Sequence, residues 1–127
     1  MRHTRHYTPA EANAARPWVA ERVRRIRGAR EELLALGEQL GDALATIQPQ
    51  TGGSYPGRSV ARSLVALSRA ADELRAVEIV LRDPDRGLVD FPAIRDGEEI
   101  YLCWLLEEDQ IRFWHPPDAG FAGRQPL

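Results

Sequence analysis

In the stretch Glu78-Ile79-Val80-Leu81-Arg82-Asp83-Pro84-Asp85-Arg86-Gly87-Leu88-Val89-Asp90-Phe91 the side-chain rhythm changes. Upstream of Val77 apolar residues recur in steps of three and four, the spacing of helices; downstream they alternate, the spacing of strands. Glu78 to Arg82 reads as a strand. Asp83 to Gly87 carries proline at the second turn position and a glycine for a left-handed bulge, so the chain is predicted to reverse into a second strand, Leu88 to Phe91. Asp96-Gly97 marks a further turn. Glu99 to Leu106 and Gln110 to His115 then complete a small antiparallel meander, and the proline- and glycine-rich segment from Pro116 to Leu127 reads as an extended tail.

Working back from the switch, Thr8-Pro9-Ala10-Glu11 has the form of a capped helix start, with Thr8 as N-cap and Glu11 placed to complete a capping box. Pro17 lacks an amide donor and disfavours helix at Arg16, so a kink or break is expected there. The seam Val19, Val23, Ile26, Arg30, Leu33, Gly37, Leu40, Leu44 and Ile47 has heptad steps, interrupted by Arg30 and Gly37 as though something else packs or binds near them. Gln48 to Gly57 reads as a loop, and Val60, Leu64, Leu67, Ala71 and Leu74 form the seam of a second, antiparallel helix. The expected architecture is α+β: a long, coiled-coil-like helical hairpin over residues 8–77 with its loop at 48–57, then a β lobe and tail over 78–127, all in a single domain.

Composition agrees with one domain. The chain has 127 residues, 43% hydrophobic and 28% charged, enough to bury a core without staples. Its single cysteine, Cys103, excludes an internal disulfide and points to a reducing, cytoplasmic setting. The polar opening residues argue against a secretion signal, and no apolar run approaches the roughly 20 residues a membrane-spanning helix needs. Net charge is −2, yet all 17 basic residues are arginine and eight of them fall between Arg2 and Arg30. Arg22, Arg24, Arg25 and Arg27 therefore suggest a nucleic-acid surface, a reading disfavoured by the absence of any nucleic-acid motif and by the i,i+4 pairs Glu21–Arg25 and Arg27–Glu31.

The residues able to carry chemistry gather in the C-terminal lobe. His115 changes charge near neutral pH and is the leading proton-transfer or ligand candidate. Asp90 is a carboxylate inside a strand, where aspartate is depleted. Glu108 lies in an acidic turn, and Arg124 is suited to a bidentate grip on a carboxylate or phosphate, or to an internal pair with an acid such as Asp90. His3 and His6 offer further nitrogens from an end expected to be mobile. If Leu102 stands opposite Phe113, then His115 faces Ile100 and Cys103 points to the other side of the sheet, apart from His115; a slip of one residue reverses this. Cys103 reads as a buried small apolar residue, not a nucleophile, because nothing in Leu102-Cys103-Trp104 would lower its pKa. Asp83, Asp85 and Asp90 lack the calcium-loop spacing, and Gly120 to Arg124 lacks the P-loop lysine.

Tyr7-Thr8-Pro9-Ala10-Glu11-Ala12-Asn13, Arg86-Gly87-Leu88-Val89-Asp90-Phe91-Pro92, Leu102-Cys103-Trp104, Trp114-His115 and Gly120-Phe121-Ala122-Gly123-Arg124 together resemble the bacterial family called domain of unknown function 2203. The resemblance spans nearly the whole chain but implies no established activity. Members show Gly-Glu after the Leu-Cys-Trp strand, where this chain has Glu107-Glu108, so Glu108 is the matching carboxylate. Three functions are compatible with these residues. The first is a binding or interaction module that forms a homodimer, or meets another protein, through its helical seams. The second is a small enzyme or metal protein in which Asp90, Glu108, His115 and Arg124 converge in a pocket walled by Trp104, Trp114 and Phe121, with or without a divalent metal ion on His115, Asp90 and Glu108. Nucleic-acid binding through the N-terminal arginines is the third.

Overall fold

A computed structural model describes residues 1–46 and 57–127. Two helices, α1 (Pro9–Thr46) and α2 (Gly57–Ala76), precede five strands: β1 (Val80–Asp83), β2 (Leu88–Arg95), β3 (Glu98–Leu105), β4 (Phe113–His115) and β5 (Gln125–Pro126). The strands form one antiparallel meander in the order β1-β2-β3-β4-β5. This is the α+β arrangement expected. The tail, however, is more than extended chain: a 3-10 turn at Phe121–Gly123 leads into β5, which closes on β4.

The capping box forms as the sequence predicts, with the Thr8 N–H donating to Glu11 Oε1 (3.0 Å) and the Glu11 N–H to Thr8 Oγ1 (3.1 Å). Of the kink or break expected at Pro17, the break does not occur, and α1 runs through it. Ala12 before the proline and Val19, Ala20 and Val23 after it are all buried in the same core. That shared burial offsets the roughly 3 kcal/mol an internal proline costs. In α2 the inward stripe is Ser63, Leu67, Ala70 and Leu74, while Leu64, expected in the seam, is 51% exposed. The small Ser63 and Ala70 are buried in its place. Arg30 interrupts the α1 seam because it pairs with Asp85 across to the β1–β2 turn, whereas the space beside Gly37 is open. The side chains of Leu40 and Leu44, together with Ile47 and the expected loop at 48–57 up to residue 56, lie outside the described residues, and Gly57 opens α2.

The β1–β2 turn is built as predicted. Asp83 Oδ1 accepts the N–H groups of Asp85 and Arg86, and Gly87 adopts φ 66°. A side chain at Gly87 would bring its Cβ within 2.6 Å of Leu106 Cβ, so this close strand crossing requires glycine. Asp96 and Gly97, with φ 52° and 79°, make the tight turn between β2 and β3.

Alternation sorts the sheet into two unlike faces. Val89, Phe91, Ala93, Ile100, Leu102 and Trp104 point inward and form one core with Tyr7, Val19, Val23, Ile26, Ala70 and Leu74. Asp90, Cys103, Tyr101 and His115 share the opposite face, because Asp90 pairs with Cys103 and Tyr101 with His115. This corrects the expected register. Leu102 stands opposite Trp114, not Phe113, and the one-residue slip carries His115 to the side of the sheet where Cys103 lies. Ile111, used to set the parity of the last strand, sits outside it: its N–H donates to Asn13 Oδ1 of α1 (2.8 Å), and alternation begins only at Phe113.

Candidate metal centre

The outer face of the sheet is covered by the two ends of the chain. The N-terminal arm, expected to be mobile, is tied down. Glu99 accepts hydrogen bonds from the N–H groups of Arg2 and His3 and from His6 Nε2 (2.7 Å), and Glu78 accepts from Thr4 and Arg5. Burial pushes the Glu99 carboxyl up, but the hydrogen bonds from His6, Arg2 and His3 outweigh it and hold the group at about 2, against an ordinary 4.5. A depressed carboxylate stabilises the fold fully above its unfolded value, and the contribution vanishes as pH falls through the folded value. Denaturation midpoints are therefore expected to fall as pH drops from about 4.5 towards 2. Glu99→Gln should flatten that part of the profile; a variant that follows the wild-type slope contradicts the assignment.

At the other end, Arg124 grips Glu108 through two nitrogens (3.2 and 2.5 Å) and donates to the Cys103 carbonyl (3.0 Å). Its guanidinium stacks on Phe113 and Phe121, and Arg86 covers Phe121 as well. Glu108 Oε1 also accepts the Leu105 N–H. Arg124 and Glu108 therefore clamp the tail, and the internal pair expected of Arg124 forms with Glu108 and not with Asp90. Trp104 is in the inward core and Trp114 packs against it, so neither walls a pocket with Asp90. The four polar candidates thus divide into two pairs, Glu108 with Arg124 and Asp90 with His115. Most of the N-terminal arginines are also engaged. Arg22 pairs with Glu73, Arg25 with Glu21, and Arg27 donates to the carbonyls of Pro84 and Asp85 instead of pairing with Glu31.

Asp90 and His115 are each only 2% exposed at the side chain, and Cys103 is fully buried. One ligand atom from each of the three lies within 4.8 Å of the others. Their positions follow from the sheet alone: Asp90 and Cys103 are a directly opposed cross-strand pair, and His115 is one diagonal step further. The His115 Nδ1–H donates to the Pro116 carbonyl (2.7 Å), which leaves the Nε2 lone pair 3.0 Å from Asp90 Oδ2. Two electron-pair donors that close need a shared cation, either a proton or a metal ion. Asp90 Oδ2 also accepts from Arg82 Nε (2.8 Å), while Asp90 Oδ1 is buried without any partner. Burial, and then the Asp90 carboxylate, push the Cys103 thiol up to about 12. A metal ion held between thiol and carboxylate would reverse the second of these effects and favour the thiolate.

Sequence reasoning missed two members of this site. Cys103 was lost to the parity error at Ile111. Arg82 had only its place in β1, two residues after the partner of Asp90, to single it out.

The fold and site thus define a class: an α+β protein with a helical hairpin on one face of a meander and a buried aspartate–cysteine–histidine cluster on the other. A family model described as an uncharacterized conserved protein, DUF2203, matches residues 5–127, and the chain belongs to that family. No curated protein and no solved structure matches it. No helix among the described residues is long and apolar enough to cross a membrane.

Proposed function

We propose that the protein binds one divalent transition-metal ion, with zinc the best match, through Asp90, Cys103 and His115. The observation that carries this reading is the unpartnered, buried Asp90 Oδ1 beside a histidine whose Nδ1–H is committed to a backbone carbonyl. Holding the far nitrogen in this way orients an imidazole for metal. Imidazole and thiolate together with one carboxylate suit zinc, and three protein ligands leave one position open. Tetrahedral zinc places neighbouring ligand atoms roughly 3.3 to 3.8 Å apart, so the 4.8 Å cluster closes by about one ångström on binding.

Protein stripped with chelator, dialysed and then given zinc is expected to retain one equivalent by elemental analysis. Asp90→Asn, Cys103→Ser and His115→Gln should each lose stoichiometric retention. Substoichiometric zinc on the folded wild-type chain, or unchanged retention in all three variants, overturns the reading. Homodimerisation is a second reading, supported by Leu64 and Val65 standing 51% and 56% exposed side by side on α2. It has less behind it, because the seam residues Val19, Val23 and Ile26 are already buried within the chain.

A further inference from the structure

A cavity of about 330 Å³ opens beside the cluster, between the sheet face and the tail. Asp90 and His115 form its floor; Leu88, Pro117 and Phe121 give it apolar walls, and Arg82 lies at its side. Its volume is at the small end of ligand clefts. Arg2 also reaches it but is paired with Asp118 at 2.8 Å. Arg82 uses only its Nε, on Asp90, and its guanidinium is steadied over the Tyr101 ring at 4.9 Å. Its two terminal nitrogens have no hydrogen-bond partner among the described residues, and the side chain is 41% exposed.

From this we infer that the cavity binds a small molecule through an oxyanion group, a carboxylate or phosphate, held between Arg82 and the open position of the metal. The inference rests on the metal reading above and extends it to the ligand. Charge is the first argument. With an ion bound, the Asp90 carboxylate and the Cys103 thiolate balance its charge, the Arg2–Asp118 pair cancels, and Arg82, otherwise paired with Asp90, remains as a cation in excess beside the cavity. Shape is the second. A guanidinium fork with free terminal nitrogens beside an open Lewis-acid position matches two oxygens of one planar or tetrahedral anion. The apolar walls then favour a compact, partly apolar body over a bare ion.

The test is calorimetric titration of inorganic phosphate and of acetate into the zinc-loaded chain, with Arg82→Gln and Arg82→Lys alongside. Saturable one-site binding of at least one anion is expected in the wild type. Arg82→Gln should weaken it by roughly ten- to a hundredfold, the range for losing charge-assisted hydrogen bonds. If Arg82→Gln sheds zinc, Arg82→Lys, which keeps the charge without the fork, carries the comparison and should still bind several-fold more weakly. Zinc uptake without saturable binding of either anion overturns this inference and leaves the metal reading standing, as does undiminished binding in the zinc-retaining variants. A wild-type chain that takes up no zinc removes both.

Discussion

His115→Ala is expected to destabilise the metal-free protein by about 3 to 5 kcal/mol, the cost of breaking a buried pair on one side. The imidazole sits 3.0 Å from Asp90 Oδ2, and both side chains are almost wholly buried. Removing the ring leaves a carboxylate whose Oδ1 is already unpartnered dependent on the half-exposed Arg82 alone. Arg82 reaches only one of the two carboxylate oxygens, so a large part of the desolvation penalty stays uncompensated. Asp90→Ala alone should also be costly, because His115 Nε2 and Arg82 Nε then both lose their partner. In the double variant the two losses overlap, and its destabilisation should fall short of the sum by about 1 to 3 kcal/mol, as coupled neighbours do. Urea unfolding of the four proteins measures this. Strict additivity would mean that Asp90 and His115 do not interact, and the floor of the proposed site would lose its basis.

Architecture was legible because each element carried its own physical signature: the Thr8–Glu11 box, the inward stripe that begins at Val19, the Asp83–Gly87 turn and the Asp96-Gly97 hairpin all act within a few residues. Where a tertiary contact overrode local preference, the reading failed. Pro17 stays within α1 because residues on both sides of it are buried in one core, and the α2 seam rotates so that the small Ser63 and Ala70, and not Leu64, are buried.

The site shows the same division more sharply. Asp90 and His115 stood out as polar groups in strands, but which partner each would meet depended on the parity of one three-residue strand. Ile111 is buried like a strand residue while being held by Asn13 of α1, ninety-eight positions away in the chain. No period-two argument contains that contact. It fixes Trp114, and not Phe113, as the side chain opposite Leu102, and so brings Cys103 and His115 onto one face. Arg124, in turn, found the nearer acid: Glu108 follows β3 directly and already accepts the Leu105 N–H.

The inner face is where the sheet is anchored, and Trp104→Ala is expected to cost about 3 to 5 kcal/mol, a large share of the 5 to 15 kcal/mol that holds a domain of this size. Trp104 is 2% exposed, packs against Phe91 with ring centroids 6.5 Å apart, and donates its Nε1–H to the Glu108 carbonyl at 2.8 Å. Alanine removes the apolar contact and leaves a cavity beneath the C-terminal end of β3, while the Glu108 carbonyl loses its donor. Trp104→Phe keeps most of the apolar volume and loses the hydrogen bond, so about 1 to 2 kcal/mol is expected from it. The gap between the two variants, read from chemical denaturation at constant slope, assigns most of the loss to packing. Cys103 precedes Trp104 and points the opposite way, so a β3 that shifts into the cavity draws the thiol from Asp90 and His115. Trp104→Ala should therefore weaken zinc retention while touching no ligand, and Trp104→Phe should preserve it. Equal stability of the two variants would show that the indole hydrogen bond, rather than burial, sets the position of β3.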